Sequence, residues 1–212
     1  MKRRIQTVGR GKIAPKSAGF TLIEVMIAVA ILTVGSVGIL AMQQASTRGN
    51  LNARRMTTAT NVARIWVERV RRDGLAWTSN VTGDPNGIAA TNYIQATPVA
   101  GDSGWFAPTS PDPTESFGFD WHGQDTNVIG DIRYCTHINT RWVVVNQVVR
   151  VDVRTFWYRR GDGAAGDTNQ DLFPNCGSGG GEALVGVELA TVSPRIHALY
   201  ASTLVRWRSR PQ

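Results

Sequence analysis

The 212-residue chain has only 2 cysteines and 3 histidines, too few for the clusters that hold structural zinc. His122, His137 and His197 are scattered, and no nucleophile elbow, phosphate-binding loop or metal motif accompanies them. We therefore expect no enzyme, no catalytic residue, no metal site of this kind and no required cofactor. Each histidine is expected on the surface or half-buried.

Charge is nearly absent from one long segment. From Phe20 to Met42 the only charged residue is Glu24, and as a helix this segment would reach about 35 Å, enough to cross a bilayer core. The residues before it contain no acid and six bases: Lys2, Arg3, Arg4, Arg10, Lys12 and Lys16. This asymmetry predicts a single pass through the inner membrane, with the N-terminus cytoplasmic and the C-terminal domain periplasmic.

A basic leader followed by Gly19-Phe-Thr-Leu-Ile-Glu24 and an apolar run resembles the class III leader of type IV pilins and type II secretion pseudopilins. The resemblance implies that residues 1–19 are a leader peptide. It implies that a prepilin peptidase and methylase cuts between Gly19 and Phe20 and methylates Phe20. It also implies that Glu24 pairs with the N-terminal amine of a neighbouring subunit. From the residues alone, Glu24 could instead close a capping box with Thr21.

One helix is expected over residues 20–73, with a membrane and assembly half at 20–42 and an amphipathic half at 43–73. Apolar residues at helical spacing indicate the face that packs onto a sheet; they are Ala59, Val62, Ala63, Trp66 and Val70. Arg69, Arg71 and Arg72 suit the C-terminal turn of such a helix, with Gly74 just beyond it.

The rest of the chain predicts a loop region and then a sheet, so the expected fold class is α+β and pilin-like, a long helix on an antiparallel sheet of about four strands. Residues 74–130 are rich in turn residues, and the resemblance implies a variable, exposed region that carries partner contacts. Its aromatic residues are expected to anchor it to the core: Trp105, Phe106, Phe117, Phe119 and Trp121. In 131–212, strands are expected at Asp131–Ile138, Val149–Tyr158, Leu184–Ala190 and Ala198–Trp207, with Arg141–Val145 a further strand or the start of the second.

Cys135 and Cys176 lie in the part expected to face an oxidising compartment, which favours a disulfide over two buried free thiols. Asp167, Asn169 and Asp171 are spaced like the first ligands of a calcium loop. The glycine and glutamate that an EF-hand needs further on are missing, so a solvated turn is the alternative to calcium binding.

Three arginines near the C-terminus, Arg206, Arg208 and Arg210, would share one face of a strand and could follow the phosphate backbone of DNA. The alternative is a solvated strand end. Six of the 23 basic residues lie in the leader, so its removal leaves 17 against 16 acidic residues. This near-neutral balance favours the alternative.

Within the superfamily, Gly38–Gln43 and Ala63–Arg71 most resemble the helix of minor pilins called type IV pilus modification proteins (PilV type). The resemblance implies a structural subunit that helps initiate assembly of, or decorates, a type IV pilus at the cell surface. Its partners would be other major and minor pilins, the prepilin peptidase and, before assembly, the inner membrane. Two alternatives stay open: a minor pseudopilin of a type II secretion system, and a membrane-tethered module that binds DNA or another ligand.

Overall fold

The computed structural model describes residues 19–81, 83–109, 112, 114–159, 174–192 and 195–208. The leader up to residue 18, the calcium candidates Asp167, Asn169 and Asp171, and Arg210 therefore lie outside the described residues. The chain divides into two compact units, Met1–Asn50 and Leu51–Gln212. The sheet and its core belong to the second of these units.

Helix α1 covers Leu22–Asp73 and is followed by 3-10 turns at Gly74–Ala76, Ile88–Ala90 and Ile94–Ala96. The strands are β1 (Gly118–Phe119), β2 (Tyr134–Val144), β3 (Val148–Tyr158) and β4 (Ile196–Arg206), with a 3-10 turn at Ile129–Asp131 between β1 and β2. A 3-10 turn at Pro174–Gly177 and helix α2 (Glu182–Leu189) lie between β3 and β4. The strands form one antiparallel sheet in the order β1-β2-β3-β4. The predicted α+β fold, a long N-terminal helix packed on four antiparallel strands, is confirmed.

The apolar stripe of α1 packs as predicted. Its five residues, Ala59, Val62, Ala63, Trp66 and Val70, are at most 2% exposed. Together with Val149, Val151 and Val153 of β3 they are buried on the inner side of the sheet, most of them in one core cluster. Helical spacing on one element and a two-residue period on the other bring the two apolar faces together.

A second, smaller core lies on the other side of the sheet. Here Cys135 of β2 and Cys176 form a disulfide whose Cα atoms are 5.6 Å apart, and both cysteines are fully buried. Val185 of α2 and Phe156 of β3 belong to the same cluster. The disulfide therefore attaches the segment before α2 to the sheet.

Two strand predictions were wrong. Leu184–Ala190 lies almost entirely in α2, where only Val185 is buried; a short apolar run does not distinguish a strand from a helix by its periodicity. Arg141–Val145 is neither a separate strand nor the start of β3, because β2 continues to Val144. The chain then reverses at Asn146, whose φ of 56° suits a tight hairpin turn.

The region 74–130 contributes several fully buried side chains to the core beside its exposed ones. Trp77, Tyr93, Ile94 and Phe119 are all at most 4% exposed and belong to the core cluster that contains the α1 stripe. Of the aromatic residues expected to anchor this region, Phe119 is buried, and Phe106 and Phe117 pack partly buried against the core. Trp121 is 56% exposed and Trp105 lies on the opposite side of the sheet, so neither anchors the region to this core.

Candidate functional site

The predicted cleavage site lies directly before α1. Gly19, Phe20 and Thr21 are non-helical, and the helix begins at Leu22. The carbonyl of Thr21 accepts hydrogen bonds from the backbone N–H groups of Glu24 at 3.1 Å and Val25 at 3.3 Å. The Gly19–Phe20 peptide bond is thus outside the first hydrogen-bonded turn, and Glu24 is inside it.

Glu24 is exposed, and its carboxylate forms no hydrogen bond or ion pair with any part of the chain that the structure describes. The hydroxyl of Thr21 likewise has no partner there, so the capping box that the spacing allowed is not formed. An acid in the first turn is favoured by the helix dipole. Its two oxygens remain available to a group from outside the chain.

The apolar half of α1 is uncovered in the single chain. Between Phe20 and Met42 the large apolar side chains are 52–82% exposed, and α1 is long and apolar enough to cross a membrane. The hydroxyls of Thr33 and Ser36 donate to helix carbonyls at 2.8 Å, so neither adds an unsatisfied polar group to this segment. Such a surface needs lipid or other apolar helices against it.

Arg69 forms a buried charge cluster at the other end of α1. Its side chain is 6% exposed, and its Nη2 lies 2.6 Å from Asp125 Oδ2. Its Nε lies 3.4 Å from Glu115 Oε1, an ion pair without hydrogen-bond geometry. The guanidinium also lies over the ring of Trp66, 4.9 Å from the centroid. Arg69 thereby holds the region 74–130 against the helix.

The side chain of Asp73 binds the backbone of the same region. Its carboxylate accepts hydrogen bonds from the N–H groups of Asn92 at 2.6 Å, Tyr93 at 2.8 Å and Ile94 at 3.4 Å. From its place in the sequence, Arg69 was expected only as a charge at the end of the helix, and no role was predicted for Asp73. Arg69 and Asp73 lie three and seven residues after Trp66, and that helical spacing places both on the packed face. This spacing could have indicated their burial from the sequence.

His137 is fully buried, so the expectation that it is exposed or half-buried was wrong. Its Nε2 lies 2.8 Å from the carbonyl oxygen of Cys176, and its Nδ1 lies 2.8 Å from Arg154 Nη2. The carbonyl requires Nε2 to donate and the guanidinium requires Nδ1 to accept, which defines a neutral imidazole. Burial and the neighbouring guanidinium accordingly lower the pKa of His137 to about 4.

The other two histidines fit the expectation. His122 is exposed, and His197 is half-buried with its ring 5.4 Å from that of Trp157.

The two described C-terminal arginines, Arg206 and Arg208, do not lie together on one face of a strand. Arg206 is the last residue of β4, and Arg208 lies beyond the strand, where its backbone N–H donates to the carbonyl of Trp77 at 3.1 Å. Both side chains are exposed. Within the described ranges, no three histidine, cysteine or acidic residues are grouped so that they could hold a metal ion.

Residues 14–40 match the family model of the prokaryotic N-terminal methylation motif. No curated protein and no solved structure matches the chain significantly. The matched segment contains Gly19, Phe20 and Glu24, and it implies processing by a prepilin peptidase and assembly with other pilins. With the long apolar helix, it fits anchoring in the inner membrane followed by incorporation into a pilus. The chain thus carries the N-terminal motif of type IV pilin-like and pseudopilin-type prepilins, which points to a structural role.

Proposed function

We propose that this protein is a minor pilin, a structural subunit that helps initiate assembly of, or decorates, a type IV pilus. The methylation motif at residues 14–40 carries the proposal. The carboxylate of Glu24, which has no partner among the described residues, and the uncovered apolar half of α1 support it. In this proposal the Gly19–Phe20 bond is cut, Phe20 becomes the methylated N-terminal residue, and the apolar segments of neighbouring subunits pack side by side.

The role of Glu24 follows from the cost of a charge in the membrane. On insertion scales an unpaired charge costs about 2.5–3.5 kcal/mol at the centre of a bilayer, and less toward the end of the span, where Glu24 lies as the fifth residue of the apolar segment. Pairing with the N-terminal ammonium of an adjacent subunit removes that cost. Because the two charges must meet, the pair also sets the axial position of one helix against the next.

Processing is tested on the protein extracted from membranes. We expect mass spectrometry to find a chain that begins with N-methylated Phe20. A chain that still begins at Met1 in cells with an active prepilin peptidase would refute the proposal at its first step.

Function is tested by counting surface pili and measuring twitching and enzyme secretion in a deletion strain. We expect few or no pili and intact secretion. Loss of secretion with normal pili would instead identify a type II secretion pseudopilin and refute the minor-pilin assignment.

Complementation separates assembly from membrane insertion. We expect Glu24→Gln to reach the membrane at the normal level and fail to restore pili, because it keeps the side-chain shape and removes the charge. Glu68→Gln is the matched control, since Glu68 is an exposed acid of the same helix whose one ion pair among the described residues is with Arg71. Restoration of pili by both variants would refute the proposed pairing of Glu24.

A further inference from the structure

The side of the sheet that faces away from α1, called here the outer face, carries an open cavity of about 310 Å³. Alternation along β3 turns Arg150, Asp152 and Arg154 to this face, opposite to Val149, Val151 and Val153. In the register of β3 with β4, Asp152 pairs with Ser202 and Arg154 with Tyr200. The cavity is lined by Trp105, Arg150, Asp152, Tyr200, Ala201 and Ser202.

Two aromatic side chains form one wall of the cavity. Trp105 belongs to a loop segment that runs alongside β2, and the next residue, Phe106, exchanges two backbone hydrogen bonds of 2.9 Å with Ile138 of β2. The ring of Trp105 lies 5.9 Å from that of Tyr200 in an edge-to-face arrangement. Tyr200 is 58% exposed, so its phenol is accessible from solvent.

The Trp105 ring rests on a rigid support. The guanidinium of Arg154 lies 4.5 Å from the ring centroid and is 1% exposed. Nη2 of Arg154 lies 2.8 Å from His137 Nδ1 and donates to the carbonyl of Glu182 at 3.1 Å. Because these contacts hold Arg154 on several sides, the aromatic wall is already in place before any ligand binds.

The floor of the cavity is polar and has no net charge. Arg150 Nε donates to Asp152 Oδ1 at 2.8 Å, and the side chains of this pair are 40% and 25% exposed. The bond uses one N–H of the guanidinium and one carboxylate oxygen, so further donors and an acceptor remain beside the hydroxyl of Ser202. A phosphate placed here would meet the carboxylate of Asp152 as well as the guanidinium of Arg150.

We propose that this cavity binds a saccharide. A sugar ring offers an apolar C–H face to the aromatic wall, and its neighbouring hydroxyls each donate and accept, which suits the Arg150–Asp152 pair. The charges of the lining residues balance, one arginine against one aspartate, which favours a polyhydroxylated ligand over an anion. The volume is at the lower end of the range for small-molecule sites and fits a short saccharide. All lining residues belong to the Leu51–Gln212 unit, and the proposal is independent of pilus assembly.

The test uses the full chain in an amine-oxide detergent, because sugar-based detergents would compete. The probes are methyl glycosides of glucose, galactose, mannose and N-acetylglucosamine, with maltose and cellobiose as disaccharides. Glucuronic acid and inorganic phosphate are the anionic probes. Saturation-transfer NMR of the sugars, at concentrations up to the millimolar range, reports which sugar protons contact the protein. We expect transfer to the ring C–H protons of at least one neutral probe.

Variants locate the contact. Tyr200→Ala and Asp152→Asn are each expected to weaken binding about tenfold, and Ser202→Ala is a milder change in case either variant fails to fold. Trp121→Ala is the matched control, since Trp121 is similarly exposed and lies outside the cavity; it should leave binding unchanged. Absence of transfer to every neutral probe overturns the proposal. Equal binding by all folded variants, or competition by phosphate, overturns it too.

Discussion

Replacing Arg69 by methionine is expected to destabilise the Leu51–Gln212 unit strongly. The change keeps an unbranched side chain of similar length and removes the guanidinium that pairs with Asp125 at 2.6 Å and Glu115 at 3.4 Å. Both acids are mostly shielded from water, with side chains 22% and 17% exposed. The variant therefore leaves the partly buried carboxylate of Asp125 without this cation, while Glu115 keeps Arg72 Nη2 at 3.4 Å.

The expected loss of unfolding free energy is about 3–5 kcal/mol, the range for breaking a buried ion pair by removing one partner. Arg64→Met is the matched control, because Arg64 is an exposed arginine of the same helix with no ion pair to the described residues. It should change the stability by less than about 0.5 kcal/mol. Asp125→Asn completes a double-mutant cycle that measures the coupling of the pair.

Urea unfolding followed by tryptophan fluorescence is the assay. All 7 tryptophans lie at residue 66 or later, so the signal reports the Leu51–Gln212 unit even in the full chain. With an m-value of about 2 kcal/mol/M, the midpoint for Arg69→Met should fall by about 1.5–2.5 M. The reasoning is wrong if this variant costs no more than Arg64→Met. It is also wrong if Arg69→Met and Asp125→Asn add without coupling, since their charges would then act independently.

Three further predictions concern the same unit. His137 is neutral in the fold with a pKa of about 4, so it takes up a proton on unfolding below pH 6.5. The free energy of unfolding should therefore fall by about 3 kcal/mol between pH 6.5 and 4. In parallel urea titrations, the unfolding free energy of His137→Gln should fall by about 3 kcal/mol less over the same pH range. Replacing Cys135 and Cys176 by alanine should lower the free energy of unfolding by about 4 kcal/mol, because the disulfide joins residues 41 positions apart. An unchanged midpoint in a thermal melt would contradict this. Gly74→Ala should cost about 1–3 kcal/mol because a Cβ there would overlap Val205; an unchanged urea midpoint would show that the strand moves aside without cost.

Local patterns were enough for much of this protein. The basic leader, Gly19 and the apolar run are consecutive in the chain, so the sequence contains the whole methylation motif. The stripe at 59–70 and the alternation along β3 are periodic within one element, and a period identifies which face is apolar whatever that face packs against. These features predicted the α+β fold and the long helix before any tertiary contact was known.

Tertiary structure decided what depends on residues far apart in the chain. Arg69 and Arg71 are alike in the sequence, yet only Arg69 meets Asp125 and is buried. His137 is neutral because Arg154 and the carbonyl of Cys176 come from other segments. The outer-face cavity exists because the loop along β2 brings Trp105 to Tyr200. Burial and electrostatic environment come from such long-range packing, and a local pattern carries no record of which distant segment will pack there.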